Sequence, residues 1–288
     1  MLPPALRRKL RQFGIRSPRS FHGISKGNRR SLDRGVGIEF TDYRPYEIGD
    51  DFRNVDWNVY ARSDRLFLKQ FNADKNLNIS VLVDNSRSMD FGNPTKLKVA
   101  KQISAGLSSI ALANFDLIAI YTLSDQLRKI LSFTSGDRNF HRIETSLNSI
   151  DIGNTTDLNT NVRRFASLNR KSGVVFLISD FLDPGSYKNG LKYLVSRDFE
   201  VCTIHIISED ELNPQFSGDL RLEDVETGQI KEITVTDKVL ENYKNRVADF
   251  CDQFAWFCLS CGITYIRCHN QNTMDRFFLN DLRQVGVI

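Results

Sequence analysis

The feature that most constrains the fold is a regular alternation of short apolar runs and amphipathic stretches, which begins at Leu77. One of these runs, Val174–Ser179, is apolar up to its last residue, which is typical of a strand in the middle of a parallel sheet. The stretch from Pro94 to Ala113 starts with proline and repeats apolar residues at helical spacing, so it predicts a helix. Strands that alternate with helices predict an α/β fold with a doubly wound, mostly parallel sheet.

The same patterns predict the order of the elements. We expect strands at 77–83, 117–123, 127–133, 174–179, 200–207 and 263–268. We expect helices at 94–113, 137–150, 157–170, 186–197, 237–260 and 274–285. The segment Leu220–Val235 predicts a small hairpin, inserted between a strand and the long helix, with its bend at Glu226–Gln229.

By composition the chain has three parts. Residues 1–35 hold ten Lys and Arg and one acidic residue, so of the net charge of +4 they carry +9 and the rest of the chain −5. This basic arm is expected to be mobile, with a short helix at Ala5–Phe13. It would bind nucleic acid or an anionic membrane surface, or act as a solubility tail. Residues 36–76 form an aromatic and charged extension, predicted to pack as short strands and turns on the main domain, 77–288.

The composition also bears on the class of protein. A hydrophobic fraction of 41% over 288 residues is normal for a globular protein with a sizeable core. No apolar run approaches the roughly 18 residues needed to span a bilayer. The N-terminus lacks the apolar stretch of a signal peptide, so we expect a cytoplasmic protein.

The cysteines allow two interpretations. Cys258 and Cys261 form a C-x-x-C pair between Cys251 and Cys268, which is a possible four-thiolate zinc site. However, Cys251 and Cys258 share one face of a predicted helix, and free cysteine commonly serves as a small buried apolar residue. We favour free, buried cysteines.

Oxygen-bearing side chains occur in three loops next to predicted strands and helices. Asp84, Ser86 and Ser88 follow the first strand of the main domain, Asp180 ends its fourth strand, and the loop Gly153–Leu158 supplies hydroxyls before a helix. Open α/β sheets hold their ligand sites at the carboxyl ends of the strands. Hydroxyl and carboxylate oxygens suit a small hard cation such as Mg²⁺. Helix capping is the alternative role, but it explains one loop and not all three.

The Asp-x-Ser-x-Ser sequence, with a later threonine and a strand-terminal aspartate, resembles the metal-ion-dependent adhesion site (MIDAS) of von Willebrand factor type A (vWA) domains. The resemblance implies a vWA-like domain over 77–288 and Mg²⁺, or Mn²⁺ or Ca²⁺, as the cofactor. It implies that the serines bind the ion directly, that the threonine joins when a ligand is bound, and that the aspartates often act through water. The implied metal ligands are Asp84, Ser86, Ser88, Thr156 and Asp180. Because Thr155 adjoins Thr156, the threonine assignment stays open between them.

A second block, Glu39–Trp57 followed by Ala61 and Arg62, resembles the signature of a bacterial family known as domain of unknown function 58. Members of that family are commonly associated with MoxR-type AAA+ ATPases. The resemblance implies an adaptor in a chaperone or assembly system, which presents Mg²⁺ to an Asp or Glu of the ATPase or its client. The chemistry agrees, since hydroxyl ligands under-compensate the ion and a partner's carboxylate can replace one of its waters.

The sequence carries none of the common catalytic motifs. It has no H-E-x-x-H, G-x-S-x-G or G-x-x-x-x-G-K-[ST] pattern, so we expect a binding protein and not an enzyme. The alternative is a metal-dependent phosphoester hydrolase that uses Asp84 and Asp180 around Mg²⁺. Acidic residues near Asp50 and Asp51 would then hold a second ion.

Two further features have a structural interpretation that we favour. The acidic block is predicted to be a charged turn whose aromatic residues, Tyr43, Tyr46 and Trp57, pack on the sheet. His205 lies in an apolar strand and is predicted to be a core residue and not a ligand.

Overall fold

The computed structural model describes residues 2–17, 39–50, 52, 55–72, 76–154, 157–182, 187–216, 218–223 and 230–288. The chain divides into two compact units, Met1–Gly23 with Leu77–Ile288 and Ile24–Asn76. The strands are β1 (Glu39–Pro45), β2 (Phe67–Asn72), β3 (Asn78–Asp84), β4 (Leu117–Leu123), β5 (Leu127–Thr134), β6 (Val174–Ser179), β7 (Glu200–Ile207), β8 (Gly218–Glu223), β9 (Ile230–Val235) and β10 (Thr264–His269). The helices are α1 (Pro4–Leu10), α2 (Trp57–Ser63), α3 (Lys96–Ala113), α4 (Phe140–Asn148), α5 (Leu158–Leu168), α6 (Lys188–Ser196), α7 (Glu209–Leu212), α8 (Asp237–Ser260) and α9 (Met274–Arg276).

The large unit is built on a six-stranded sheet in the order β10-β7-β6-β3-β4-β5. All neighbouring strands are parallel except β5, which runs antiparallel to β4 at the edge. The predicted α/β fold with a doubly wound, mostly parallel sheet is therefore confirmed. From β3 the chain winds first toward β4 and later returns to β6 on the other side. The carboxyl ends of β3 and β6 thus flank the switch point of the sheet, where open α/β folds bind ligands.

Helices cover both faces of this sheet, and the strands alternate their side chains between the two layers. Val81 and Val83 pack with α3 and α4 on one face, whereas Leu82 packs with α5, α6 and α8 on the other. Because both faces are buried, the central strands are apolar at nearly every position. This burial fixes the register of the strands and thereby the position of the loops at their ends.

The first residues of the chain pack in the core of the large unit, which differs from the mobile arm predicted over 1–35. Leu6 and Leu10 of α1 are buried in the same cluster as the apolar residues of α3. The guanidinium of Arg7 lies 3.7 Å from the ring centre of Phe140. The basic residues of this segment pair with acidic ones at Arg7–Asp137, Arg11–Asp137 and Lys9–Asp275. Residues 18–35 of the predicted arm lie outside the described residues.

The small unit contains an element that the sequence patterns did not predict. Strands β1 and β2 pair antiparallel, as the prediction of short strands implies, but the chain between them also forms helix α2. No residue of α2 is buried, so the helix lacks the apolar stripe by which helices are predicted. Its start is fixed by Asp56, whose carboxylate accepts hydrogen bonds from the N–H groups of Asn58 and Val59.

Elsewhere the predicted elements differ from the observed ones mainly at their ends. The inserted hairpin is confirmed, since β8 and β9 pair antiparallel; its bend at 226–229 lies outside the described residues. The predicted helix 274–285 is instead a short α9 that continues as a π-helical turn over Phe277–Leu282. In the described ranges, no helix is both long and apolar enough to cross a membrane.

Candidate metal site

The loop after β3 brings a carboxylate and two hydroxyls together. Asp84 is buried, and its Oδ1 accepts a hydrogen bond from the N–H of Ser86 at 2.9 Å. The hydroxyl oxygens of Ser86 and Ser88 lie 3.1 Å apart. The alternate spacing Asp-x-Ser-x-Ser therefore places both serine oxygens at one position beside the end of the strand.

The loop after β6 is joined to this position through Ser179. The Ser179 hydroxyl donates to Oδ2 of Asp84 at 2.6 Å and accepts from the N–H of Phe181 at 2.9 Å. Asp180 is also buried, and its Oδ1 accepts from the N–H of Leu182 at 3.2 Å. The two aspartates predicted as metal ligands thus lie in neighbouring loops on either side of the switch point.

The third predicted loop also contacts the first one. The side-chain amide of Asn85 donates to the carbonyl of Asp151 at 2.8 Å, and the N–H of Gly153 donates to the carbonyl of Asn85 at 2.6 Å. The N–H of Arg87 donates to the carbonyl of Asn154 at 3.3 Å. Thr155 and Thr156, between which the threonine assignment lies, fall outside the described residues, so their part in the site stays a prediction.

The packing of the loop 151–154 against Ser124, which follows β4, depends on glycine at position 153. A Cβ atom on Gly153 would lie 2.6 Å from Cβ of Ser124 and 2.9 Å from its hydroxyl oxygen. We expect Gly153→Ala to force the loops apart and to lower the free energy of unfolding by about 1–2 kcal/mol, as overpacking does elsewhere. Urea denaturation of the purified protein measures this change.

A matched control is Gly14→Ala, because a Cβ on Gly14 would meet the Asn114 side chain at an ordinary contact distance of 3.7 Å. The control is expected to leave the urea midpoint nearly unchanged. Equal stability of the two variants would contradict a tight packing of the loop 151–154 against Ser124.

Charge is concentrated around the two aspartates. Burial, and after it the neighbouring charge of Asp180, raises the pKa of Asp84 to about 6. On the other side of Asp180, Nζ of Lys96 lies 2.7 Å from Oδ2 of Asp180 and 2.5 Å from Oε1 of Glu211. The Lys96 ammonium therefore lies between two carboxylates, and the third acidic group, Asp84, lies in the neighbouring loop.

The sequence patterns did not single out Lys96, Glu211 or Ser179, although Lys96 and Glu211 each carried a signal. Lys96 lies at helical spacing from Ala100 and Ile103, on the stripe of α3 that faces the core. Glu211 belongs to the S-x-x-E pattern that begins at Ser208, and the two residues form a capping box at α7. A buried stripe that contains lysine predicts a nearby carboxylate, because a buried charge requires a partner.

The donor set fits a small hard cation. Two adjacent hydroxyl oxygens and two buried carboxylates are the ligand types that Mg²⁺ prefers. Within the described part of the chain, no cluster of three or more His, Cys, Asp or Glu is placed to hold a metal ion. A site here would consequently depend on the hydroxyls of Ser86 and Ser88 as well as on Asp84 and Asp180.

The acidic residues of the small unit have structural partners. The guanidinium of Arg44 donates to both carboxylate oxygens of Asp50, at 2.6 and 2.7 Å. Asp56 caps α2 and also accepts from the hydroxyl of Tyr43 at 2.8 Å. Trp57 is 57% exposed, and the packing of the aromatic residues on the sheet stays a prediction. Asp51 lies outside the described residues.

His205 and four of the five cysteines are buried, as predicted. His205 is buried, and its Nδ1 lies 3.0 Å from the hydroxyl of Tyr265, which gives the ring a hydrogen-bond partner. Burial lowers the pKa of His205 to about 3, so the ring is neutral. All five cysteines are free, and Cys261 alone among them is partly exposed.

Most of the chain matches a known protein family. Residues 42–251 match the family described as "Protein of unknown function DUF58". The uncharacterized protein Rv1480 of Mycobacterium tuberculosis is 24% identical over 284 residues, which cover 97% of this chain and 88% of that protein.

Among solved structures, the hypothetical protein BatB from Bacteroides thetaiotaomicron covers 73% of this chain and 99% of its own, with 14% identity and a TM-score of 0.47. Proximal thread matrix protein 1 of the mussel byssus, with a zinc-occupied MIDAS motif, has 17% identity and a TM-score of 0.39. It covers 46% of this chain and 39% of its own. Both likenesses are too distant to indicate a function.

Proposed function

We propose that this chain, which belongs to the protein family of unknown function DUF58, acts as a Mg²⁺-dependent protein-binding module. One observation carries the proposal: the hydroxyl oxygens of Ser86 and Ser88 lie 3.1 Å apart, in the same loop as the buried carboxylate of Asp84. This loop follows β3 at the switch point of the sheet, where a ligand can approach from outside the carboxyl ends of the strands.

The chemistry of these groups favours binding over catalysis. Neutral hydroxyls add no negative charge, so an ion held by Ser86 and Ser88 keeps much of its positive charge. Mg²⁺ requires about six oxygen ligands and retains waters where the protein supplies fewer. A carboxylate of a partner protein would replace one of those waters and bring the missing charge. An aspartate or glutamate side chain is accordingly the group that we expect the partner to contribute.

For the partner, we propose a MoxR-type AAA+ ATPase or one of its client proteins. This part rests on the resemblance of the Glu39–Trp57 block and not on the geometry of the site. In such a pair the ATPase would hydrolyse the nucleotide, and this chain would recognise the protein to be assembled or remodelled.

Titration calorimetry with MgCl₂ tests the metal site directly. We expect the wild-type protein to bind Mg²⁺ and Asp84→Asn to bind it about 10–100-fold more weakly, the usual cost of removing a group that orients a metal or its ligands. Asparagine keeps an oxygen that accepts the Ser86 N–H, so the loop is expected to stay folded. Mg²⁺ binding by Asp84→Asn at the wild-type affinity would reject the proposed site.

The matched control is Asp116→Asn, which changes a buried aspartate at the amino end of β4. The candidate site lies at the opposite, carboxyl ends of the strands. This variant is expected to bind Mg²⁺ as the wild type does. Equal loss of affinity in both variants would attribute the effect to general charge and not to Asp84.

Co-precipitation with a purified MoxR-type ATPase from the source organism tests the partner. We expect capture in Mg²⁺, loss of capture in EDTA, and loss of capture by Asp84→Asn in Mg²⁺. Capture that persists in EDTA would reject the metal-dependent mode of binding. Turnover of a generic phosphoester that disappears in Asp180→Asn would favour the hydrolase instead.

A further inference from the structure

Lys96 is a fully buried cation beside the candidate metal site. Its side chain is 0% exposed, and Nζ contacts Oδ2 of Asp180 at 2.7 Å and Oε1 of Glu211 at 2.5 Å. Burial lowers the pKa of Lys96, but the charges of Asp180 and then Glu211 outweigh burial and leave the pKa above its ordinary value. The ammonium group of Lys96 is therefore in direct contact with one of the predicted metal ligands.

The surrounding structure holds this lysine in place. Lys96 is the first residue of α3, and the loop before the helix is tied down by Asn270, whose side-chain amide donates to the carbonyl of Pro94 at 2.8 Å. Glu211 is fixed in turn, since its Oε2 accepts the N–H of Ser208 at 2.7 Å. Both partners of the ammonium group are thus positioned by other contacts, and the ammonium lies between them.

We propose that Lys96 is an internal counter-ion of the metal site, which neutralises Asp180 in the metal-free protein and weakens its hold on Mg²⁺. This inference rests on the function proposed above. The ammonium engages one oxygen of Asp180 and repels a second cation nearby, so the ion is bound weakly by this chain alone. The negative charge of a partner's carboxylate offsets the positive charge of Lys96, so the ion is bound tightly only when the partner is bound.

Removal of the lysine charge provides the test. Lys96→Met replaces the buried side chain with an apolar one of similar length, and we expect it to bind Mg²⁺ at least about tenfold more tightly than the wild type in calorimetry. In EDTA this variant is expected to melt at a lower temperature than the wild type, because Asp180 and Glu211 lose their counter-ion. Added Mg²⁺ should then raise its melting temperature more than it raises that of the wild type.

The control on the same helix is Lys98→Met, which removes an exposed charge two residues away. This change is expected to alter the Mg²⁺ affinity by less than about twofold, since water and salt screen exposed charges. An increase in affinity as large as that of Lys96→Met would show that net charge, and not the contact with Asp180, controls the metal.

Glu211→Gln tests the inference from the opposite side and decides it if Lys96→Met does not fold. Without the Glu211 charge, the ammonium is less compensated and repels the ion more, so we expect Mg²⁺ binding about threefold weaker or worse. Unchanged or tighter binding by Glu211→Gln would overturn the inference.

The outcomes separate the inference from the proposed function. If the wild type binds Mg²⁺ and Lys96→Met binds it no more tightly, the counter-ion role is rejected and the metal site stands. If neither the wild type nor Lys96→Met binds Mg²⁺, both are rejected. If Lys96→Met alone binds the ion, the counter-ion role is supported and Mg²⁺ dependence of the isolated wild-type protein is rejected.

Discussion

Replacement of Phe254 by alanine is expected to lower the free energy of unfolding by about 3–5 kcal/mol, the largest effect on stability that we predict. Phe254 lies in α8, and its side chain is fully buried. Its ring centre lies 4.3 Å from that of Phe181, 4.6 Å from that of Tyr187 and 5.4 Å from that of Tyr265. Alanine would remove these contacts and leave a cavity that the neighbouring rings fill only in part.

The same change is expected to weaken Mg²⁺ binding, because Phe254 supports the loop that carries Asp180. Phe181 follows Asp180 directly and has φ +55°, a left-handed conformation that costs a non-glycine residue about 1–2 kcal/mol. The packing of the Phe181 ring against Phe254 and Tyr187 offsets this cost. Without Phe254, the loop is free to leave this conformation and carry Asp180 away from Asp84.

Urea denaturation gives the stability change, and calorimetry with MgCl₂ gives the affinity. Trp256→Ala is the matched control on the same helix, since this side chain is 71% exposed and its removal is expected to change stability by no more than about 0.5 kcal/mol. A loss of similar size in both variants would contradict the role given to Phe254. Unchanged Mg²⁺ affinity in Phe254→Ala would show that Phe254 stabilises the fold but does not position Asp180.

The strands of the large unit were the part of the fold that the sequence predicted best. The segments 117–123, 174–179 and 200–207 have the same ends in the prediction and in the structure. Each is a buried and mostly apolar run, so the burial that stabilises the strand can be recognised from its amino-acid composition. The loops at the ends of such strands, and with them Asp84 and Asp180, could be placed at one edge of the sheet for the same reason.

Lys96 could not be assigned its role because its partners are distant in the chain. Asp180 lies 84 residues after it and Glu211 lies 115 residues after it, so their contact depends on the order of strands β3, β6 and β7 in the sheet. The hydroxyl bridge of Ser179 to Asp84 depends on the same topology, over 95 residues. A local pattern shows which side chains are buried, but it does not show which buried charges meet.

The N-terminal segment carries a spacing of leucines that predicts its packing better than its charge does. Leu2, Leu6 and Leu10 occur every fourth residue, the separation that lines up one face of a helix, and all three are buried. The basic residues between them lie on the remaining faces of α1. A stripe of three leucines was sufficient to predict that residues 2–10 dock on an apolar surface, whatever their net charge.

Asp116 joins the amino ends of β3 and β4, away from the candidate metal site. Its carboxylate accepts a hydrogen bond from the N–H of Leu77 at 2.8 Å, and the residue is nearly inaccessible to solvent. Burial raises the pKa of Asp116 to about 6, although the bond from Leu77 acts in the opposite direction. The folded protein therefore holds this proton more tightly than the unfolded chain, in which the carboxyl ionises near its ordinary pKa of 3.8.

The sign of the pH effect follows from this order of pKa values. Between about pH 4 and pH 6 the unfolded chain has lost the proton while the folded protein keeps it, so stability falls as the pH rises and levels off above about 6. The loss reaches at most about 3 kcal/mol, since each unit of pKa corresponds to about 1.4 kcal/mol. Asp116→Asn keeps an oxygen for the Leu77 N–H and carries no charge, so we expect it to be more stable than the wild type at pH 7.5 by up to this amount and by only about 1 kcal/mol at pH 4.5.

Urea midpoints of the wild type and of Asp116→Asn at these two pH values measure the effect. The control is Asp125→Asn in the exposed turn between β4 and β5, which is expected to leave the midpoints nearly unchanged at both. If Asp116→Asn proved less stable than the wild type at pH 7.5, the hydrogen bond from Leu77 to the charged carboxylate would stabilise the fold by more than burial of that charge destabilises it. The amino ends of β3 and β4 would then be held together by that charge, and its removal would loosen the strand whose other end carries Asp84.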